Sequence, residues 1–263
     1  RAGWVGMNED PPSTRLQVAE LSFPLWVRSG GASPTRVVVL SHGLTNDHRD
    51  APLFDDLRRT FMEGGDTVVV DFDYPGSGSA DGELVDKRLS ILRAALVGVF
   101  EFTREHVDDQ LPIALVGRSI GGTVALSASP EVRPARLAVM SPPFELSTNL
   151  GALRGERSPD GSYPLPEWAQ PSGQVKGEVA LSSAFYDELE DEEKRLRESV
   201  RGARNVFLIS STEDPKVRSG EMDALWELLA SDPTNQRAVL ATDHNYNSVK
   251  GEVTRMLAEW LRR

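Results

Sequence analysis

Near the middle of the chain, in LPIALVGRSIGGTVAL (residues 111–126), an apolar run breaks off at Gly117-Arg118-Ser119-Ile120-Gly121-Gly122, and a helix-like stretch follows. A serine on so abrupt a strand-to-helix turn is held at strained backbone angles, and small residues two before and two after it make the turn feasible. The strain lifts the hydroxyl clear of the sheet edge. The chemistry this suits is nucleophilic attack, because a serine hydroxyl is a poor nucleophile until a histidine takes its proton. That histidine needs a carboxylate on its other ring nitrogen to fix the tautomer and stabilise the imidazolium. Negative charge would then gather on the attacked carbonyl oxygen, where the backbone N–H of Ile120, just after the serine, can donate to it.

Such groups have to be held by a sheet, and the sequence supplies one. Arg36–Ser41, Thr67–Phe72, Ile113–Gly117, Leu137–Met140, Val206–Ser210 and Arg237–Ala241 are short, β-branched and apolar, as expected of parallel strands covered on both faces. Helical patterns fall between them at about 51–63, 85–106, 120–128, 219–230 and 246–262. This alternation predicts right-handed βαβ units and an α/β, doubly wound, mostly parallel sheet in a single domain spanning residues 1–263. Leu16–Arg28 alternates with a different period and predicts leading antiparallel strands.

Residues 142–203 interrupt the rhythm, with no convincing strand, a Pro/Gly-rich early part and a charged helical later part. An insertion of that length predicts a lid. Its aromatics Phe144, Tyr163, Trp168, Phe185 and Tyr186 would line an apolar pocket over Ser119, about half of them facing substrate, with the charged run Asp187–Arg201 turned to solvent.

These features together resemble the α/β-hydrolase superfamily over nearly the whole chain. Ser41-His42-Gly43-Leu44 is similar to the family's His-Gly oxyanion segment, which implies the N–H of Leu44 as the second oxyanion donor. Asp73-Tyr74-Pro75-Gly76-Ser77-Gly78-Ser79 resembles its D-x-x-G-x-G-x-S turn, and Tyr74 is taken with Phe144, Trp168 and Phe185 as a candidate pocket residue. Asp214-Pro215-Lys216-Val217 resembles the D-x-x-V acid segment, and Asp243-His244 follows the last strand, where the family puts its catalytic histidine. The resemblance implies Ser119, Asp214 and His244 as a triad, in the chain order this fold uses. Within the superfamily, HGLTND and ADGE look most like small bacterial esterases of the feruloyl or cinnamoyl type, although those carry His where this chain has Arg118.

Each assignment has a rival. His42 has a structural reading, orienting the oxyanion loop; His48 is a loop residue within reach of substrate; His106 sits late on a charged helix. Glu213 competes with Asp214, whereas Asp243 adjoins His244 and immediate neighbours point apart. Arg118 suits either a substrate carboxylate or, preferred here, a buried salt bridge behind the turn. Asp47, His48 and Asp50 lack the spacing of a ligand set, so no metal and no other cofactor is expected.

Composition narrows the partners. A net charge of −11 disfavours nucleic acid and anionic membranes, and no apolar run nears the roughly 20 residues needed to span a bilayer. The absence of cysteine excludes disulfides and thiol chemistry. RAGWVGMNEDPPSTR lacks the apolar centre of a leader, which predicts a cytoplasmic protein, although a removed leader would leave no trace. The expected activity is hydrolysis of a small-molecule carboxylic ester or thioester through an acyl-enzyme. An acyl-carrier or CoA thioesterase, an acyltransferase, and a non-catalytic binding module on the same fold are the alternatives. A carrier protein and a second copy of the chain are the candidate macromolecular partners. If Asp214 sets the tautomer of the histidine, Asp214→Asn should lower turnover by about 10⁴-fold, while Glu213→Gln should have a mild effect. Steady-state kinetics of both variants decide, and a reversed order would assign the acid to Glu213.

Overall fold

The valine-rich runs pair into one eight-stranded sheet. The computed structural model describes residues 11–49, 52–171, 175 and 177–263; the first ten residues of the stretch read for a leader, and Asp50, lie outside the described residues. In chain order the strands are β1 (Thr14–Val18), β2 (Leu21–Ser29), β3 (Arg36–Ser41), β4 (Thr67–Phe72), β5 (Ile113–Arg118), β6 (Arg136–Met140), β7 (Tyr163–Pro164), β8 (Ala180–Leu181), β9 (Val206–Ser211) and β10 (Gln236–Leu240). The large sheet runs β1-β2-β4-β3-β5-β6-β9-β10. Every pairing from β4 to β10 is parallel, and β1 and β2 add an antiparallel edge.

The helices are α1 (Leu53–Glu63), α2 (Leu89–His106), α3 (Ile120–Val132), α4 (Leu146–Asn149), α5 (Ser183–Asp187), α6 (Leu189–Arg201), α7 (Ser219–Leu229) and α8 (Lys250–Arg262). Alternate residues of each central strand feed two cores. Val37, Val39, Val68 and Leu115 pack with α2, α3, α6 and α7 on one face; Val38, Leu40, Val69 and Val116 pack with α1 and α8 on the other. Both faces are buried in apolar cores, which is why these strands read as apolar at every position rather than at every second one.

The strand order reverses at β3, from which the chain passes through α1 to β4 on one side and later reaches β5 on the other. In open α/β sheets, the crevice at the carboxyl ends beside such a switch point is where ligands bind. Ser41 ends β3 and Ser119 follows β5, so both lie at this crevice.

The excursion between β6 and β9 differs from expectation in two respects. It contains a minimal antiparallel pair, β7 with β8, where no strand was expected. The amphipathic α6 does not lie over Ser119: its buried Leu196 and Val200 join the core shared with α3. The aromatics follow the same logic. Phe144 and Phe185 are completely buried, and the Arg197 guanidinium covers the Phe144 ring at 4.6 Å. Large flat rings gain most where every face is in contact, so they dock the excursion onto the sheet.

The entry to the excursion is tied down as well. The buried Glu221 of α7 accepts the N–H groups of Phe144 (2.5 Å) and Glu145 (2.9 Å) and the side-chain amide of Asn149 (3.1 Å). Phe185→Ala should therefore cost about 3–5 kcal/mol of stability, read from urea unfolding; a loss below about 1 kcal/mol would mean a loosely packed excursion.

Candidate active site

Ser119 sits at φ 53°, ψ −130°, immediately before α3. Two glycines make this possible. A Cβ on Gly121 would lie 2.1 Å from the carbonyl oxygen of Ser41, and one on Gly117 would lie 2.6 Å from the carbonyl oxygen of Gly121. The turn is thus pressed against the end of β3, and the serine N–H donates to Met140 of β6 (2.9 Å), which locks it from the other side. Ile120 is the first residue of α3, so its N–H belongs to the first-turn group that has no partner within the helix.

His244 lies in the turn after β10 and is 5 % exposed. Its Nδ1 is 2.7 Å from Oδ2 of Asp214, and Oδ1 of that carboxylate accepts the N–H groups of Lys216 (2.8 Å) and Val217 (3.0 Å). Burial alone would raise Asp214, but the hydrogen bond and charge of His244 and the two N–H groups outweigh it and hold the carboxyl below its usual range. His244 moves the same way for a different reason. Burial disfavours the imidazolium, and the nearby cations Arg118 and Lys216 add to this, against the opposing pull of Asp214. A histidine kept neutral can accept a proton, which is what a general base must do.

The rival carboxylates are placed differently. Glu213 is exposed, and Asp243 caps its own turn by accepting the N–H groups of Asn245 and Asn247. Tyr246 fixes the histidine turn from below at φ 59°, its hydroxyl donating to Ile209 O (3.1 Å) and accepting from Ser141 (2.7 Å).

Leu44 lies on the loop after β3. His42, fully buried, accepts the N–H of Tyr74 at Nε2 (3.0 Å), which leaves Nδ1 to donate to the Gly43 carbonyl (2.8 Å). It braces the loop. Sequence reading missed the second brace: Lys87 is 2 % exposed, and its Nζ donates to the Leu44 carbonyl and to Ser77 Oγ (2.5 Å). Burial brings its ammonium down to about 7, against the pull of Asp73 and Asp47. A lysine in the charged run Asp86-Lys87-Arg88 looks solvated, and only the turn ahead of α2 buries it. Asp73 accepts from the backbone N–H of His48 (2.8 Å) and that of Ser79 (2.9 Å), and its Oδ1 also lies 2.7 Å from His48 Nδ1. Burial would raise it, but these bonds and the histidine charges hold it at about 2.

Ser119, Ile120, His244 and Leu44 line one cavity of about 440 Å³. Its apolar wall is aliphatic, from Leu150, Leu153 and Leu165, with Trp168 the one lining residue among the five aromatics proposed. Contrary to expectation, Tyr74, Phe144 and Phe185 do not line it: all three are buried in the core away from the cavity wall, Tyr74 with its hydroxyl on Ser41 Oγ (2.8 Å). Trp168 is 51 % exposed and stands at the wall without being enclosed by it.

Arg118 is buried but on the cavity side rather than behind the turn, donating to Asn245 Oδ1 (3.0 Å) and Asn46 Oδ1 (3.2 Å). His48 is held between Asp73 and a stacked Trp26 (3.8 Å between ring centres), outside the cavity lining, and His106 is exposed at the end of α2. The ligand atoms of Asp47, His48 and Asp73 lie within 4.8 Å of one another, but Asp47 is paired with Arg49 and His48 with Asp73, so their charges are already met.

A family model for the alpha/beta hydrolase family matches residues 38–262, and the chain belongs to that family. No curated protein matches its sequence. Solved structures share its fold. Est1E from Butyrivibrio proteoclasticus, with ferulic acid bound, superposes with a TM-score of 0.74 at 17 % identity, over 95 % of this chain and 98 % of that one. The esterase Pf2001 of Pyrococcus furiosus gives 0.71 at 18 % identity over 95 % and 91 %. XC6422 from Xanthomonas campestris, described as a serine hydrolase without lid, gives 0.62 at 16 % identity over 96 % and 94 %. Among the described residues no helix is long and apolar enough to cross a membrane.

The state of His244 gives a sign for pH dependence. A general base at His244 would require the neutral ring, and a value lowered from 6.5 keeps it neutral further into acid, so kcat/KM should be on its plateau at neutral pH and fall with a midpoint below 6.5. A pH–rate profile on a non-ionising ester measures this. A midpoint above 6.5 would mean that Asp214 outweighs burial.

Proposed function

We propose that this protein is a serine esterase that cleaves carboxylic esters through an acyl-enzyme formed on Ser119. The observation that carries the reading is the 2.7 Å contact between His244 Nδ1 and Asp214, on a histidine that shares its cavity with a serine held at positive φ. In the proposed course, Ser119 Oγ attacks the ester carbonyl as His244 takes its proton. The carbonyl oxygen, now negative, is met by the N–H groups of Ile120 and Leu44, each contributing about 3 kcal/mol as in comparable sites. The C–O bond to the alcohol breaks, and the alcohol leaves with the proton held by His244. Water, deprotonated by the same histidine, then attacks the acyl-serine and releases the acid.

The excursion between β6 and β9 acts here as a fixed lid. Its leucines favour an apolar acyl group, and the ferulic acid held by Est1E on a similar fold supports aryl-substituted acyl groups among the substrates. Thioesters fall within the same chemistry, since only the leaving atom changes. A chain without cysteine suits the cytoplasm, where disulfides would not persist.

Ser119→Ala should lower turnover on the order of 10⁶-fold with the fold retained by circular dichroism. Treatment with a fluorophosphonate followed by mass spectrometry should place one adduct on Ser119. Labelling elsewhere, or no labelling, would reject the reading in favour of a binding module.

A further inference from the structure

A buried ammonium that meets no carboxylate is costly, and Lys87 is one. Its Nζ donates to the Leu44 carbonyl and to Ser77 Oγ (2.5 Å), and among the described residues it forms no ion pair. Burial works against its charge, with Asp73 and Asp47 pulling the other way from a greater distance. An apolar side chain would fill the same space without that cost, so what a lysine adds there is its reach to those two oxygens.

Both oxygens lead to the loop that carries Leu44. The first is the Leu44 carbonyl itself; the second, Ser77 Oγ, passes its own proton to the Asn46 carbonyl (2.7 Å). One side chain thus holds two carbonyls of Leu44–Asn46. The peptide ahead of Leu44 is fixed independently, because the Gly43 carbonyl meets His42 Nδ1 (2.8 Å) and accepts the Asn46 N–H (3.3 Å). With a planar peptide clamped on each side, Leu44 keeps little freedom in φ and ψ, and the direction of its N–H is set. That N–H has no acceptor among the described residues, and Leu44 lines the cavity shared by Ser119 and His244. The loop is also a partition. Leu44 to Asp47 line both that cavity and, with Ser77 and Lys87, a separate hollow of about 10 Å³, the space of a single water. An amine keeps two N–H bonds even when uncharged, so the clamp holds in either charge state.

We propose that Lys87 is a positioning residue for ester hydrolysis: by holding the Leu44 and Asn46 carbonyls it keeps the Leu44 N–H directed at the oxygen that becomes negative, and so acts on the transition state rather than on substrate binding. This inference rests on the esterase reading above. Donors fixed before the reaction need no reorganisation as charge develops, which is why a residue that never touches substrate can govern the rate.

The test reads the transition state separately from the ground state. Lys87→Met keeps the length of the side chain and removes its donors. On 4-nitrophenyl acetate, with active enzyme counted by complete fluorophosphonate labelling, it should lower kcat by about 10²-fold, as a misplacement near 1 Å does, and leave KM within about twofold. The ketone 1,1,1-trifluoro-4-phenylbutan-2-one adds the serine to give a charged tetrahedral oxygen, and should bind about 10²-fold more weakly to the variant. The corresponding alcohol cannot add and should bind both proteins equally. Lys87→Cys offers the rescue, because the chain has no other thiol. Alkylated in urea with 2-bromoethylamine and refolded, it regains an amine at the length of lysine and should recover most of the rate. Alkylated with 1-bromopropane, it gains the bulk without the donor and should stay slow. If Lys87→Met does not fold, Ser77→Ala, which keeps the lysine and cuts only the arm to Asn46, should show the same pattern at about fivefold, and an unchanged rate there would overturn the proposal. A lysine of purely structural importance would lower only the melting temperature or the active fraction, weaken ketone and alcohol alike, or be replaced equally well by the propyl group. Any of these results removes the positioning role while the esterase reading stands. If the wild-type protein hydrolyses no ester and the phosphonate fails to label Ser119, the esterase reading falls and takes this inference with it.

Discussion

The close approach of the Ser119 turn to the end of β3 is the constraint on which the site depends. With Gly121 backed onto the Ser41 carbonyl, the position of Ser119 is set by backbone contact with the central strand rather than by its own side chain. Any shift of β3 would disturb the loop bearing Leu44 and the serine turn together. Ser41 reinforces the contact, its hydroxyl donating to the Gly121 carbonyl (3.0 Å) while accepting from Tyr74. Strain is tolerated there because the surroundings over-determine it. Two further positive-φ residues, Ser141 and Tyr246, fall at the same edge of the sheet and bond to each other, so the turn carrying His244 is anchored on the strand ends beside the serine.

Electrostatics are arranged on the same frame. Asp214 is kept ionised by two backbone N–H groups as well as by the histidine, so its charge does not depend on the ring's protonation alone. The loop after β3 is held by a histidine and a lysine that both act on carbonyl oxygens, Gly43 and Leu44. Fixing carbonyls fixes the planes of the peptides that follow, which aims the loop's N–H groups without touching them.

Much of this was legible in the residues. Short β-branched runs that are apolar throughout are what a parallel, doubly covered sheet calls for, and the glycine spacing around Ser119 gains its meaning from the strand before it and the helix after it. The resemblance to the D-x-x-V segment also singled out Asp214, which the structure places 2.7 Å from His244. The pocket wall was not legible. Aromatic residues in an excursion serve equally well as docking groups, and the sequence does not say which face of α6 meets α3. Phe144, Phe185 and Tyr74 went into the core, while the leucines at 150, 153 and 165, unremarkable in sequence, took the wall. Lys87 escaped notice because its charge is masked by acidic and basic neighbours along the chain, and only tertiary structure removes it from water.

The anchoring of the excursion has a consequence for how such a protein diversifies. Glu221 fixes its beginning to α7, and α6 fixes its end to α3, so the intervening stretch from Leu150 to Pro171 hangs between two posts that belong to the core. Replacement residues, or a longer stretch, can be accommodated between those posts without disturbing strand register or the Ser119 turn. The cations, by contrast, stand on the turn itself and on the acid loop, where changes reach the reacting groups. The aliphatic side of the cavity can thus be rebuilt without reaching the Ser119 turn, whereas the side bearing Arg118 and Lys216 cannot.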